Sequence, residues 1–266
     1  MPLINIGTAG WEYKDWNGTF YPKFLERENH LKLYAEIFEI VEVNSTFYRL
    51  PNIETVKNWN EKVPENFRFI IKMWQEITHN ITEEGLDNKI STFFSRMEPL
   101  SEKIYGYLIQ FPPWFKYSNN NIDILNELIR IMPRKNIYFF EFRDNSWFKK
   151  KIIDEIINRE NISLVTTYLQ EIRPYYYPNQ SYYYIRLIGD RSINKFNIVE
   201  RTQKKTIQDM NSTIQKIIDT SDVKEIFIIV NNHFTGFAPK TANELKKKWN
   251  LPIRAFSTQK TLSDFL

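Results

Sequence analysis

Five charged side chains stand where short apolar runs of the sequence give way to polar residues. They are Glu42, Lys72, Glu141, Arg143 and Arg186. Charged groups that lose hydration persist in a folded protein only when they are paired, hydrogen-bonded or used in function. If the five converge, three cations meet two carboxylates, and the excess positive charge suits a ligand that carries phosphate or carboxylate. We therefore predict Glu42, Glu141 and Lys72 as catalytic residues and Arg143 and Arg186 as substrate-binding residues. Glu141 or Glu42 would serve as general acid or base, while Lys72 and the two arginines hold the anion.

The elements that must position these side chains are eight apolar runs rich in β-branched and aromatic residues. They read INIGTAGW from Ile4, EIVEVNSTFY from Glu39, FRFIIKMW from Phe67, YGYLIQFPP from Tyr105, NIYFFEFRDNSW from Asn136, SLVTTY from Ser163, YYYIRLIGDR from Tyr182 and EIFIIVNNH from Glu225. Each run is followed by a segment long enough for a helix or a substantial loop. This order predicts an α/β protein, a single (β/α)8 TIM barrel of parallel strands, with its active-site mouth at the carboxyl ends of the strands.

The sequence predicts different structures for two of the connecting segments. The segment KKKIIDEIINRE, residues 149–160, predicts a helix after the fifth strand, because its apolar residues recur at helical spacing. The segment QEIRPYYYPNQ, residues 170–180, contains two prolines and no helical pattern. We expect it to form an irregular loop between the sixth and seventh strands.

Alternation along each strand predicts which polar side chains share the barrel interior, since successive residues point to opposite faces. Residues such as Val41 and Phe140 should face the helices. By the same count the inward polar residues are Glu42, Asn44, Lys72, Gln110, Glu141, Arg143, Arg186 and Asn231. The amides of Asn44, Gln110, Asn231 and Asn232 are expected to orient the substrate. A register error of one residue would reverse the assignment for that strand.

Aromatic residues and glycines at the strand ends suggest further contacts with a ligand. Trp11, Tyr48 and Trp147 lie in polar loop contexts, where a ring could stack on a sugar or a nucleobase. The segments after strands 7 and 8 are the usual phosphate-binding place in such barrels. We accordingly predict phosphate binding by Gly189, Arg191 and Gly236, the last just before a helix opened by proline.

The composition narrows the class of protein. The chain has 266 residues without a linker-like segment or a shift in composition, which predicts one domain over 1–266. The absence of cysteine excludes disulfides, thiolate metal sites and a cysteine nucleophile. A net charge of +4 is mild and permits an anionic partner without requiring one. With no signal-like start and no run of membrane-spanning length, we expect a cytoplasmic protein with no membrane partner.

The histidines give little support for a metal site. His30, His79 and His233 are widely separated, and no pair has the close spacing of HxH or HExxH. A mixed site of imidazole and carboxylate ligands remains an alternative. We favour a protein without metal or cofactor.

Six segments together resemble a known family. They are IGTAGWEYKDWNGTFYP, VEVNSTFYRLP, FIIKMWQEITH, LIQFPPWF, FEFRDNSWF and VNNHFTGFAPKTANEL, in this order over nearly the whole chain. They are similar to the YecE-like family, DUF72, and the resemblance implies a TIM barrel without naming a reaction. A more distant likeness, at the level of fold, links it to the superfamily of endonuclease IV and xylose isomerase. Those enzymes use several His, Asp and Glu metal ligands, and this chain lacks an equivalent histidine set.

The seventh run also departs from the family pattern. It reads RLIGD, where the family is expected to have a histidine before the glycine. The role of that histidine therefore cannot be assigned to any residue of this chain.

These observations predict an enzyme that hydrolyses or isomerises a small or nucleotide-like phosphorylated compound. The first alternative is a barrel that binds or processes nucleic acid across its aromatic and basic mouth, similar in fold to endonuclease IV. The second is a non-catalytic interaction scaffold. The substrate, the reaction and the oligomeric state stay open at this level.

Overall fold

The computed structural model describes residues 2–82, 84–149, 153–154, 156 and 160–256. Its eight strands are β1 (Leu3–Ala9), β2 (Ile40–Val43), β3 (Arg68–Lys72), β4 (Ile104–Gln110), β5 (Tyr138–Glu141), β6 (Ile162–Leu169), β7 (Tyr182–Gly189) and β8 (Glu225–Val230). Each strand pairs in parallel with the next, and β8 pairs with β1 to close the barrel. The predicted (β/α)8 barrel is confirmed.

Helices lie between most of the strands. The α-helices are α1 (His30–Ile37), α2 (Ser45–Tyr48), α3 (Ile53–Lys62), α4 (Gln75–Thr78), α5 (Leu86–Met97), α6 (Asn119–Ile131), α7 (Lys204–Thr220), α8 (Asn232–Thr235) and α9 (Ala238–Lys248). Short 3₁₀ helices are formed by Lys14–Trp16, Arg27–Asn29, Glu98–Lys103 and Asn145–Trp147. None of the helices in the described ranges has the length and apolar character that crossing a membrane requires.

Local sequence explains where several helices begin. The side chain of Asn52 accepts a hydrogen bond from the Thr55 amide at the start of α3, and Ser118 does the same for Asn121 in α6. Such caps satisfy amides that have no partner within the helix. Pro239 lies in the first turn of α9, where its missing N–H costs nothing.

The secondary structure of the two connecting segments can be compared with that predicted from the sequence. Residues 170–180 contain no helix, as predicted. Most of the helix expected over 149–160 lies outside the described residues; of the part that is described, Ile153, Asp154 and Ile156 are helical.

The strand residues divide between two apolar layers, as their alternation predicts. Val41, Val43, Phe140 and Phe142 pack in the large core between sheet and helices. The barrel interior is filled by a separate cluster, which we call the apolar floor, made of Ala9, Ile40, Ile70, Leu108, Phe139, Val165, Tyr184, Phe227 and Ile229. A filled interior is typical of these barrels and leaves no channel through the sheet.

A polar layer lies directly above the apolar floor. On six strands, the residue two positions after a floor residue is polar and buried. These residues are Glu42, Lys72, Gln110, Glu141, Thr167 and Arg186. Because side chains on one face recur every second residue, the register of the floor determines the position of this layer. The predicted inward orientation of the charged side chains on β2, β3, β5 and β7 is thus confirmed.

Candidate active site

Arg186 on β7 lies at the centre of the polar layer. Its Nε and Nη2 each donate a hydrogen bond of 2.7 Å to the two carboxylate oxygens of Glu42. Its Nη1 donates a bond of 2.5 Å to Oε2 of Glu141. The guanidinium therefore links β2 to β5 across the mouth, and its planar fork matches the geometry of the Glu42 carboxylate.

Neutral and cationic groups complete the coordination of both carboxylates. Glu42 also accepts from the Tyr184 hydroxyl and, at 2.9 Å, from Nδ2 of Asn44. Glu141 accepts from Oγ1 of Thr167 at 2.6 Å, and Nη2 of Arg143 lies 3.0 Å from its Oε1.

These contacts keep the two carboxylates ionised. Burial alone would raise the pKa of Glu42, but the charge and hydrogen bonds of Arg186 outweigh it and the pKa falls below its usual range. Burial would likewise raise the pKa of Glu141, yet Arg143 and Arg186 lower it to about 2. Carboxylates held in this way are weak proton acceptors, so their environment favours an anchoring role.

Lys72 at the end of β3 has a different environment. Its Nζ donates a hydrogen bond of 2.9 Å to Oε1 of Gln110 and lies 3.7 Å from the centre of the Phe47 ring. Among the described residues, no carboxylate oxygen lies within 4.0 Å of this amine. Burial and the nearby charge of Arg186 lower the pKa of Lys72 to about 7, although Glu141 and Glu42 partly oppose the change. The amine is therefore poised to gain or lose a proton near neutral pH.

The position of the Lys72 side chain is determined by its neighbours. Nε2 of Gln110 donates to the Phe111 carbonyl at 2.9 Å, which leaves Oε1 to accept from the amine. The Thr46 hydroxyl donates to the backbone carbonyl of Lys72 at 2.7 Å and holds the end of β3.

Arg143 follows β5 and is the least enclosed cation of the cluster. Its side chain is 13% exposed, whereas that of Arg186 is 3% exposed. The Nε atom of Arg143 is buried and has no hydrogen-bond partner. Arg143 thus has an unused donor beside Glu141, next to the part of the mouth that solvent reaches.

Asn231 and Asn232 hold the loop after β8 in place. Oδ1 of Asn231 accepts from the His233 amide at 3.0 Å and caps α8. Oδ1 of Asn232 accepts from Nε1 of Trp16 at 3.2 Å and from the Ala238 amide at 3.0 Å. The side-chain oxygens of both residues are thus occupied by the protein, and the buried Nδ2 of Asn232 has no hydrogen-bond partner among the described residues.

The three aromatic residues expected to contact a ligand have different surroundings. Trp147 is fully buried and stacks on Phe115 and Phe142, so the structure does not bring it to an accessible mouth. Tyr48 is 71% exposed. Trp11 is nearly buried but lines a surface cleft and meets Trp59 edge to face, with ring centres 5.5 Å apart.

The glycines after strands 7 and 8 are required by backbone geometry. Gly189 has φ +78°, and a Cβ atom there would lie 2.3 Å from the His233 carbonyl oxygen. Gly236 has φ +104°, a Cβ atom would lie 2.5 Å from the Ile198 oxygen, and its amide already donates to Asn232. Arg191 is exposed. Close packing accounts for both glycines, and phosphate binding by Gly189, Arg191 and Gly236 stays a prediction.

A cleft of about 860 Å³ opens beside the polar layer on the side of β1 and β2. We call it the arginine cleft, and its lining includes Trp11, Glu12, Arg27, Asn44, Arg49, Trp59 and Arg96. Asn44 belongs both to this lining and to the Glu42 coordination. The cleft is therefore contiguous with the charged cluster.

Several contributors were not predicted from the sequence. Thr167 and Tyr184 bind the two carboxylates, and the alternation that identified Arg186 also places them on the inner face. Phe47 and the cleft arginines come from loops and helices, where no periodic signal marks them. Within the described ranges, no three His, Asp or Glu side chains are grouped as metal ligands would be.

Comparison with known proteins identifies a matching family and several similar proteins. The family described as "Protein of unknown function DUF72" matches residues 5–263. The UPF0759 protein YunF of Bacillus subtilis is 30% identical over 162 residues, which are 59% of this chain and 56% of that protein. The UPF0759 protein YecE of Escherichia coli is 29% identical over 157 residues, 59% of this chain and 54% of that protein. The chain thus aligns with little more than half the length of these curated relatives.

Solved structures extend the likeness to nearly the full chain. A DUF72 family protein of Thermotoga maritima superposes with a TM-score of 0.79 at 25% identity, covering 93% of this chain and 99% of that one. One from Enterococcus faecalis gives 0.75 at 24% identity, covering 95% and 99%. At this level of identity the Enterococcus structure supports the barrel fold alone.

Proposed function

We propose that this chain, which belongs to the DUF72 family, is an enzyme in which Lys72 transfers a proton to or from a small anionic substrate at the barrel mouth. One observation carries the proposal. Both carboxylates of the polar layer are held by arginines, while the Lys72 amine has, among the described residues, only the Gln110 amide as a hydrogen-bond partner. The proton-transfer group of this cluster is therefore the lysine.

The surroundings of Lys72 suit a general base. A buried amine with a pKa of about 7 is partly unprotonated at neutral pH and can accept a proton from carbon or oxygen. The apolar floor beneath it excludes water from one side. The Phe47 ring and the Gln110 oxygen hold the ammonium that forms.

A simple reaction that uses these groups is isomerisation next to a carbonyl. Lys72 would remove a proton from the hydroxyl-bearing carbon beside the carbonyl. The electron pair of that C–H bond would form a C=C bond, and the π pair of the C=O bond would move to the carbonyl oxygen. The unused Nε donor of Arg143 would stabilise the resulting enolate. Transfer of the hydroxyl proton to the enolate oxygen and return of the carbon proton from Lys72 to the former carbonyl carbon complete the isomerisation without an oxidant or a reductant.

Proton exchange with solvent tests this proposal directly. The protein is incubated in D2O with a panel of phosphorylated ketoses, phosphorylated aldoses and 2-oxo acids, and loss of the C–H signal is followed by NMR. We expect exchange with at least one compound, and loss of that exchange in Lys72→Met, which keeps the length of the side chain without the amine.

Two controls make the result decisive. Lys135→Met removes an exposed lysine from the loop before β5, at the other end of the barrel, and should leave exchange unchanged. Circular dichroism of Lys72→Met should match that of the wild type. Exchange that persists in Lys72→Met, or no exchange with any compound of the panel, would exclude this function.

A further inference from the structure

The arginine cleft carries an excess of positive charge next to the polar layer. Its lining contains three guanidinium groups, those of Arg27, Arg49 and Arg96, and one carboxylate, that of Glu12. The three arginines come from the 3₁₀ helix Arg27–Asn29, the residue after α2 and the end of α5. Segments distant in the sequence therefore bring like charges to one concave surface, an arrangement that an anionic ligand would stabilise.

The three arginines differ in how far the protein already satisfies them. Arg27 pairs with Glu12, with 2.6 Å between Nη2 and Oε2. Nη1 of Arg96 donates to the Pro51 carbonyl at 2.6 Å, which orients the guanidinium without neutralising it. Arg49 is exposed, and its side chain makes no hydrogen bond or ion pair among the described residues, although its backbone amide donates to the Ser45 carbonyl. Arg49 and Arg96 thus leave two uncompensated positive charges in the cleft.

Aromatic rings form another part of the same lining. Trp11 and Trp59 meet at 88°, so that the two rings together form a corner rather than a flat stack. Trp59 is half-buried, and Trp11 is 5% exposed. A planar ring of a ligand can pack against such a corner while its anionic group reaches the arginines.

We propose that the arginine cleft binds a phosphate monoester attached to a planar ring, as in a nucleoside monophosphate, with Arg49 and Arg96 as the phosphate ligands. A volume of about 860 Å³ is sufficient for a molecule of this size. A phosphate dianion can accept hydrogen bonds from two arginines at once, which matches the two uncompensated charges. This proposal places the anion-binding site beside β1 and β2 rather than after strands 7 and 8.

The cleft binds the ligand, and the bound ligand reaches Lys72. The second of these statements rests on the proposed function. Asn44 connects the two places, since it lines the cleft and donates to Glu42 at 2.9 Å. A ligand held by its phosphate at Arg49 would extend along Asn44 toward the charged cluster. Binding of the ligand in the cleft can be measured without turnover.

Binding of AMP, adenosine, inorganic phosphate and a short single-stranded DNA is measured by isothermal titration calorimetry. We expect AMP to bind more tightly than adenosine or inorganic phosphate alone. Arg49→Ala should weaken AMP binding about tenfold or more, because it removes charge-assisted hydrogen bonds, and Arg49→Lys should recover part of the loss. Within the described part of the chain the Arg49 side chain has no hydrogen-bond or ion-pair partner, so its removal should leave the fold intact.

Two further variants distinguish this site from its rivals. Arg191→Ala tests the place after strand 7, and Arg130→Ala removes an arginine that pairs with Glu127 on the surface of α6. Both should bind AMP as the wild type does. The inference is overturned if AMP does not bind, if Arg49→Ala binds it normally, if Arg191→Ala is the variant that loses it, or if only DNA binds, with steep salt dependence.

The two proposals fail separately. Lys72→Met should bind AMP as tightly as the wild type, because Lys72 does not line the cleft. Normal AMP binding by Arg49→Ala together with Lys72-dependent proton exchange would contradict the proposed binding site and support the proposed enzyme activity. Arg49-dependent AMP binding without proton exchange would support the proposed binding site and contradict the proposed reaction.

Discussion

Arg186 and Glu42 form a two-point ion pair across the barrel, with both hydrogen bonds at 2.7 Å and both side chains fully buried or nearly so. The pair connects β7 to β2, strands that are not neighbours in the sheet. The remaining guanidinium nitrogen, Nη1, binds Glu141, so one arginine holds both carboxylates. Each charge of this set is tolerated only because the others are present.

Removal of one partner of this pair should therefore destabilise the protein strongly. We expect Arg186→Met to lower the free energy of unfolding by about 3–5 kcal/mol, because buried Glu42 loses its arginine counter-charge and Glu141 keeps only that of Arg143. Urea unfolding measures the loss. In the double variant Glu42→Gln/Arg186→Met the loss should be smaller than the sum of the two single losses. Strict additivity would mean that the two side chains do not interact.

The lowered pKa of Lys72 predicts a pH dependence of stability. The unfolded chain holds this proton up to the ordinary pKa of 10.5, while the folded protein releases it near 7. Between these values the unfolded state binds more protons, so the contribution of Lys72 becomes more favourable as pH rises, by up to about 1.4 kcal/mol per pH unit. Below pH 7 both states are protonated and the contribution is constant.

The matched comparison is Lys72→Met, which has no such titration. The stability advantage of this variant over the wild type should be largest at or below pH 7 and should shrink toward pH 10. Urea unfolding of both proteins across this range gives the difference. A difference that does not change with pH would show that the folded and unfolded states bind this proton equally.

The titration of Lys72 can also be observed directly. After reductive ¹³C-methylation, the dimethyl-lysine signal that disappears in Lys72→Met should shift with a midpoint near pH 7, well below the value of about 10.4 typical of exposed lysines. Neutral Gln110 is its hydrogen-bond acceptor. The substitution Gln110→Glu should therefore raise the midpoint, since it adds a carboxylate at that position. A midpoint unaffected by Gln110→Glu would contradict the contact.

Gly189 is expected to be a structural requirement. Gly189→Ala combines a positive φ with a Cβ atom 2.3 Å from the His233 oxygen, so the loop after β8 would have to move. Gly18→Ala is the matched control, because its φ is +81° and a Cβ atom there meets nothing within 4 Å. We expect the control to cost about 1–2 kcal/mol of stability and Gly189→Ala clearly more. Equal losses in thermal or urea unfolding would contradict the close approach.

The composition of the polar layer is largely determined by local sequence. Alternation of apolar and polar residues on β2, β3, β5 and β7 is sufficient to predict that Glu42, Lys72, Glu141 and Arg186 share the interior, and the apolar floor confirms this register. The physical reason is that the strand has a period of two residues, and burying the wrong face would expose its apolar side chains. Thr167 follows from the same rule applied to β6.

The pairing within that layer depends on the tertiary structure. Arg186 and Glu42 are 144 residues apart, and nothing local indicates that Arg186 takes both carboxylates and leaves Lys72 with the neutral Gln110. For the same reason sequence context failed for Trp147, whose polar neighbours gave no sign of the rings that cover it. The arginines of the arginine cleft, too, come from three separate segments.

The sequence by itself thus determined the barrel and the set of charges at its mouth, because strand periodicity and apolar burial act over a few residues. Only the tertiary structure decided which charges neutralise one another, which amine has a neutral amide as its hydrogen-bond acceptor and where the cleft arginines gather. Those properties depend on distances of a few ångströms between residues that are far apart in the chain, since electrostatic energies in a buried site change steeply with separation and solvation.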